Sequence, residues 1–497
     1  MKILLSVSHF GFLRNLEAGV HELARRGHSF HLLADRKDSL GGTRTIEQLE
    51  RQFPGRFTFS YAQSAKGSRW HALAIFLRLS LDYWRYLDPR YDRATALRAR
   101  ASRQAPDASV RVASAWPFRG RRRRRLLSNT FRFLERGLPV GEYASAALDQ
   151  HQPDLLMLTP LLYFGSQQVD YVRAARQRGI PTILCVGSWD HLTTKGLIHE
   201  VPDLITVWND AQRSEAAEFH GVPAAQVRVT GAQAYDHWFT MSPRVTREEF
   251  LRAVGLPVDR DYLLYLCSSP FIAPREVAFV RSWIEGLRQH ANPRLRELGV
   301  LVRPHPQNAE QWKEVDLSGF GDVALWPRQG ANPVDSDARA DYYHSMFFSV
   351  AVVGVNTSAQ IESGIVGRPV FSIRSPEFAG TQEGTLHFQH LKSVNGGLLS
   401  MADSLDHHYG QLRALLETPA AERTHGRDFI KTFVRPHGLD RAAAPLFADA
   451  VEEAGQGHRR APVKSTLRAR LLKAVLLPLA TIAARARGRR AQQAEVP

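Results

Sequence analysis

The residues best placed to do chemistry lie between 354 and 363, in the segment GVNTSAQIES. An apolar run ends there in Asn356, Thr357 and Ser358, where a helical pattern begins. Hydroxyls and free backbone amides at a helix start bind phosphate. Glu362 follows one turn into that helix, where a carboxylate can accept hydrogen bonds from ribose hydroxyls. The same residues also read as an N-cap by Thr357 or Ser358, with a first-turn glutamate answering the helix dipole. The context favours a ligand. The run GVLV leads into Arg303-Pro304-His305-Pro306, which sets a guanidinium fork and an imidazole at another strand end between two stiff prolines. A third strand end, Ser268-Ser269-Pro270, adds small hydroxyl residues. Three polar strand ends in one half of the chain make a nucleotide diphosphate site. Its donor-binding set is Ser268, Ser269, Arg303, His305, Asn356, Thr357, Ser358 and Glu362.

Such groups converge only if their strands all end on one edge of a sheet. The chain opens with KILLSV, too short an apolar run for a helix. A turn, a helix ending near Gly27 and a second strand follow, which together make a βαβ unit. PDLLMLT, IPTILCVGS and LITVWND continue the alternation, as expected of a parallel sheet covered by helices. Residues 60–150 break it: RWHALAIFLRLSLDYWRYL has helical apolar spacing, and basic helical sequence continues beyond it, which reads as a helical insertion. A second strand–helix series starts near Arg260, after a linker around Gly231 and Pro243. The expected architecture is α/β, with two Rossmann-like parallel-sheet domains facing a cleft. An acceptor domain would span 1–240, a nucleotide-donor domain 241–455, and a basic amphipathic tail 456–497.

A chain of 497 residues, 44% hydrophobic and 23% charged, can bury a core in each domain. Its formal charge of +16 favours polyanions. The basic residues concentrate at Arg119 with Arg121 to Arg125, and in the tail at Arg468, Arg470, Lys473, Arg485, Arg487, Arg489 and Arg490. No interleaved aromatics or nucleic-acid motif accompany them, so nucleic acid is not the expected partner. Between the tail arginines, LLKAVLLPLATIAA falls well short of the roughly 20 apolar residues that span a bilayer. It reads either as a helix docking back on the first domain or as contact with an anionic membrane surface. Cys185 and Cys267 sit in apolar runs without ligand spacing and read as core residues. With no disulfide framework and only a short apolar stretch at Ile3 to Val7, the expected location is cytoplasmic, peripheral on the inner membrane face if the tail engages it.

The opening strand and turn, RPHP, the NTSAQIES helix start, GRPV and FVRPHGLD together resemble the GT-B glycosyltransferase superfamily, in its bacterial capsule and surface-polysaccharide branch. RPHP is similar to an element of sialyl- and Kdo-transferases and of CDP-glycerol glycerophosphotransferases. The resemblance implies transfer of a sugar from a nucleotide-activated donor to a glycan or lipid-linked acceptor. It also implies that the second domain binds the donor and the first the acceptor. UDP-N-acetylglucosamine 2-epimerase shares the fold, but SHFGFLRN stands where that enzyme has its Gly-Thr-Arg-Pro-Glu element, which disfavours epimerisation. Polyol-phosphate transfer and a catalytically silent nucleotide-binding scaffold remain alternatives.

Inverting transfer needs a base for the acceptor hydroxyl. Asp190 is the first candidate and His9 the second, each also readable as a turn or packing residue; His191, Lys195, Trp208 and Asn209 complete the acceptor side. Asp335 and Asp337 form a DxD pair in a loop and read as solvated acids. No metal or further cofactor is expected, because arginine, helix termini and hydroxyls can neutralise a departing diphosphate.

Overall fold

The computed structural model describes residues 1–37, 41–63, 65, 68–115, 120–333, 335–423, 425–456 and 474–485. The chain divides into two compact units. The first comprises Met1–Ala234 with the chain from Asp440 onward, and the second is Tyr235–Leu439.

The first unit holds a seven-stranded sheet: β1 (Lys2–Val7), β2 (Ser29–Ala34), β3 (Phe57–Tyr61), β4 (Leu155–Thr159), β5 (Thr182–Cys185), β6 (Leu204–Val207) and β7 (Val227–Val229). The spatial order is β3-β2-β1-β4-β5-β6-β7. Every pairing is parallel, with Val7 opposite both Ala34 and Thr159. Helices cover both faces, which is why β4, β5 and β6 are buried along their whole length and read as unbroken apolar runs.

The second unit repeats the plan with β8 (Tyr262–Leu266), β9 (Gly299–Arg303), β10 (Val323–Leu325), β11 (Ala351–Gly354), β12 (Val370–Ile373) and β13 (Leu399–Ala402). Their order is β10-β9-β8-β11-β12-β13, again all parallel. The helix Val277–Gln289 buries Trp283, Ile284 and Leu287 against Val300, Val302 and Phe371. Both sheets are doubly wound and Rossmann-like. The strand order reverses beside β1 in one unit and beside β8 in the other.

The segment between β3 and β4 is helical: Arg69–Arg85, Thr95–Gln104, Asp107–Ser114, Arg121–Arg136 and Glu142–His151. Arg78, fully buried, fastens it to the sheet domain. Its guanidinium lies 2.8 Å from Glu135 and 2.7 Å from Asp170, and it also donates to the carbonyl of Ser166. Arg173 pairs with Glu135 from the other side.

The division at the C-terminus differs from the expected 241–455 domain. The helix Ala443–Gln456 belongs to the first unit, where Phe447, Ala448 and Val451 pack with Val20, Leu23 and Ile183. The chain therefore returns to the first unit at 440, not at 456. Gly19 makes room for this return, since a Cβ there would lie 2.4 Å from the Phe447 ring. Residues 474–485 form a helix whose Leu476 and Ala480 pack with Leu73, Leu77 and Leu138 of the insertion. Arg119 and the tail residues Arg468, Arg470, Lys473, Arg487, Arg489 and Arg490 lie outside the described residues. No helix among the described residues is long and apolar enough to cross a membrane.

Candidate functional site

In the second unit β9, β8 and β11 are neighbours, so their carboxyl ends bring Ser268-Ser269, Arg303 to His305 and Asn356 to Ser358 to one sheet edge. The order reverses between β8 and β11, and ligands of open α/β sheets bind in the crevice at such a point. Gly354 is constrained at this crossing, because a Cβ there would come within 3.0 Å of the Leu266 carbonyl.

Side chains from behind hold each loop. Gln360 donates to the Gly354 carbonyl at 3.1 Å and accepts from the Thr357 amide at 3.3 Å. Asn308 donates to the carbonyls of Ser268 and Ala273. Glu276 accepts from the Ser268 amide at 2.8 Å and from the Tyr265 hydroxyl, and burial pushes its carboxyl up to about 7.

Within the expected donor set, the structure separates residues that face outward from residues already committed. Ser269 and Thr357 are half-buried and Ser358 is exposed, while His305, also half-buried, accepts through Nδ1 from the Gln307 amide at 3.1 Å as the cap of the turn Pro306–Trp312. Ser358 makes no side-chain cap bond, although the Thr357 hydroxyl accepts from the Ala359 amide at 3.4 Å. Ser268 is fully buried, and Asn356, nearly so, donates to the Thr381 carbonyl. Arg303 is the most engaged of the set. Its guanidinium is buried, bonded to Asp341 at 2.7 Å and stacked over Tyr342 at 5.0 Å, so it braces the strand end. Tyr342 in turn donates to Glu362 at 2.8 Å, which links Arg303 to the carboxylate expected to meet a ribose.

The first unit has its own switch point, between β1 and β4. Gln168, buried there, donates to Ser6 and to the Thr159 carbonyl and accepts from the Leu161 amide. His9 follows β1 in extended conformation, its ring edge-on to Phe12 at 4.7 Å, and Phe12 meets Tyr163 and His191 on its other contacts. Burial depresses His191 to about 4, leaving its imidazole neutral at physiological pH. The insertion grips the loops after β4 and β5. Asp82 accepts from the amides of Gly165 and Leu197, and Arg85 donates to the carbonyls of Leu192, Lys195 and Gly196.

Asp190 caps a short turn. Its carboxylate accepts from Ser188 at 2.6 Å and Thr194 at 2.9 Å, so both oxygens already hold structural donors. Trp208 is buried with its indole N–H on the Val186 carbonyl. Asn209 caps the helix Asp210–His220 by accepting from the Gln212 amide. Both therefore hold the loop after β6 in place. Asp335 likewise caps the helix Ser336–Phe347, accepting from the amides of Asp337 and Ala338.

Sequence reasoning missed Asp35, the residue after β2. Its amide is fixed on the Val7 carbonyl, and its enclosed Oδ1 has no hydrogen-bond partner among the described residues. Burial raises its carboxyl to about 7, against the pull of Gln167 and Arg36. Arg36 also lies over the Tyr163 ring at 5.6 Å. The only sequence signal is position: an acid one residue beyond a strand that neighbours the switch point.

No protein-family model matches this chain, and no curated protein sequence does. Solved structures do. The UDP-GlcNAc 2-epimerase of Methanocaldococcus jannaschii aligns at a TM-score of 0.50 and 10% identity, over 92% of this chain and all of that one. The same enzyme in complex with UDP-GlcNAc and UDP gives the same values. The Neisseria meningitidis enzyme bound to UDP-GlcNAc aligns at 0.51 and 12%, over 91% and 100%. At this identity the likeness establishes the fold: two Rossmann-like units of the GT-B-like class.

Proposed function

We propose that the protein is a glycosyltransferase that works on the cytoplasmic side and moves a sugar from a nucleotide-activated donor to the precursor of a cell-surface or capsule polysaccharide or to a lipid-linked glycan. The observation that carries this reading is the meeting of three polar strand ends on the adjacent β9, β8 and β11, at the point where the sheet reverses. Ser269, His305, Thr357 and Ser358 are the groups we assign to the donor's phosphates, with Glu362 toward its ribose. Arg303, Ser268 and Asn356 shape the loops. In the reaction the acceptor oxygen bonds to the anomeric carbon as that carbon's bond to the diphosphate breaks. A base takes the acceptor's proton, and the nucleotide leaves with the electron pair. His9 and Asp35 are our candidates for that base, ahead of Asp190, whose oxygens are already engaged. We assign no metal to the reaction, since hydroxyls, imidazole and backbone amides can meet the leaving charge.

The fold likeness to UDP-GlcNAc 2-epimerases supports a second reading, epimerisation of a nucleotide sugar. The two readings part on one measurement. Incubated with a nucleotide sugar and no acceptor, a transferase leaves the sugar unchanged, whereas an epimerase converts it. A thermal-shift panel of UDP-, GDP-, CMP- and CDP-activated compounds chooses the donor for that assay. A stabilised protein that converts its ligand without an acceptor overturns glycosyl transfer. A protein stabilised by none of the panel overturns both readings, and stabilisation by CDP-glycerol alone favours polyol-phosphate transfer.

A further inference from the structure

One described region of the first unit is both strongly basic and apolar. The helix Arg121–Arg136 buries Glu135 and packs Phe131 and Leu134 against the cluster of Leu73, Leu77 and Leu138. Its outer side carries Leu126 and Phe133, seven residues apart and therefore on one face, at 68% and 64% exposure. Arg122, Arg125 and Arg136 are exposed on the same helix. Helix 474–485 reaches that cluster from the far end of the chain. It docks Leu476 and Ala480 and turns Val475, Leu479 and Ile482 outward, at 69%, 47% and 62% exposure. Their spacing makes a single stripe, and exposed Arg485 closes the helix.

Isolated exposed leucines need no explanation, but apolar stripes on two helices that share one cluster call for a partner that is not water. The arginines call for an anion. A glycerophospholipid leaflet offers both, with phosphates lying over an acyl boundary. A polynucleotide would satisfy the arginines and leave the aliphatic stripes wet. A second copy of the chain would set like charges against each other.

We propose that helices 121–136 and 474–485 form a docking surface for an anionic lipid leaflet, with Leu126, Phe133, Val475, Leu479 and Ile482 entering the acyl boundary and the arginines meeting phosphates. Neither helix carries a residue of the candidate site, so the proposal stands apart from the donor reading. The test is sedimentation of the full chain with vesicles of phosphatidylglycerol mixed with phosphatidylcholine, and of phosphatidylcholine alone. The protein is expected on the mixed vesicles only, with a fraction that resists high salt. The triple variant Arg122→Gln, Arg125→Gln, Arg136→Gln is expected to weaken partition about a hundredfold. The variant Phe133→Ser, Leu479→Ser, Ile482→Ser keeps the salt-sensitive attraction and loses the salt-resistant fraction. An unchanged Tm certifies that each variant is folded. Absence of binding to mixed vesicles overturns the proposal. So does a serine variant that binds like the parent, or light scattering that shows a dimer which the serine variant dissolves.

Discussion

Asp35 and His305 make the residue-scale reading testable without disturbing the fold. A carboxyl that stands at about 7 in the folded chain, against an ordinary 3.8, prefers to fold with its proton on. Its ionisation therefore costs stability as pH rises through that window. Asp35→Asn is expected to raise the Tm above pH 7 and to leave it unchanged below the ordinary carboxylate range. If Asp35 is the base, turnover of the parent rises with pH through about 7, and the Asn variant loses about 10²- to 10⁴-fold. A parent profile flat across that range removes Asp35 from the role. In the second unit, His305→Ala is expected to weaken donor binding in calorimetry by at least about tenfold, as loss of one hydrogen bond to a charged group predicts, and to lower the Tm by no more than the loss of its cap on the Gln307 amide implies, about 0.5–2 kcal/mol. Arg303→Ala behaves differently. It strips a buried partner from Asp341 and is expected to cost about 1–3 kcal/mol of stability in denaturant titration. The sequence showed that Arg303 ends a strand, but not that Asp341, 38 residues on, already holds it.

At the scale of elements, the insertion earns its place by holding loops. Arg78, Asp82 and Arg85 project from successive turns of one helix to Ser166, Gly165 and Gly196, the segments that follow β4 and β5. Arg78→Met leaves Glu135 and Asp170 facing each other in the interior with half their compensation gone, and is expected to cost about 3–5 kcal/mol by chemical denaturation. A loss below about 1 kcal/mol would show that the network is not what fastens the insertion. The helical character of residues 69–85 was legible from apolar spacing. The network was not, because its members lie 57 and 92 residues apart and each alone reads as a surface charge.

At the scale of the whole molecule, the chain leaves the first unit after 234 and comes back at 440. Arg435, in the FVRPHGLD segment, ties the two passages within the second unit. It donates to Asp236 at 2.9 Å and lies over the Phe239 ring at 3.6 Å. The returning helix completes the first unit's core, so a chain ending at 439 is expected to be insoluble, and Phe447→Ala to cost about 3–5 kcal/mol. A soluble, cooperatively melting 1–439 fragment would contradict that role.

Apolar runs too short for helices, alternating with helical spacing, were enough to determine two parallel α/β sheets, because strands covered on both faces must be apolar throughout. Polar residues interrupting those runs marked which strand ends carry chemistry. Only the tertiary structure decided which of these groups face outward. An ion pair between distant residues leaves no trace in local pattern, so Arg303 looks free in sequence and proves engaged, while Asp35 looks ordinary and proves to have an enclosed oxygen with no hydrogen-bond partner among the described residues. The strand order that sets β9, β8 and β11 side by side is likewise a property of chain crossings, which residue type alone does not encode.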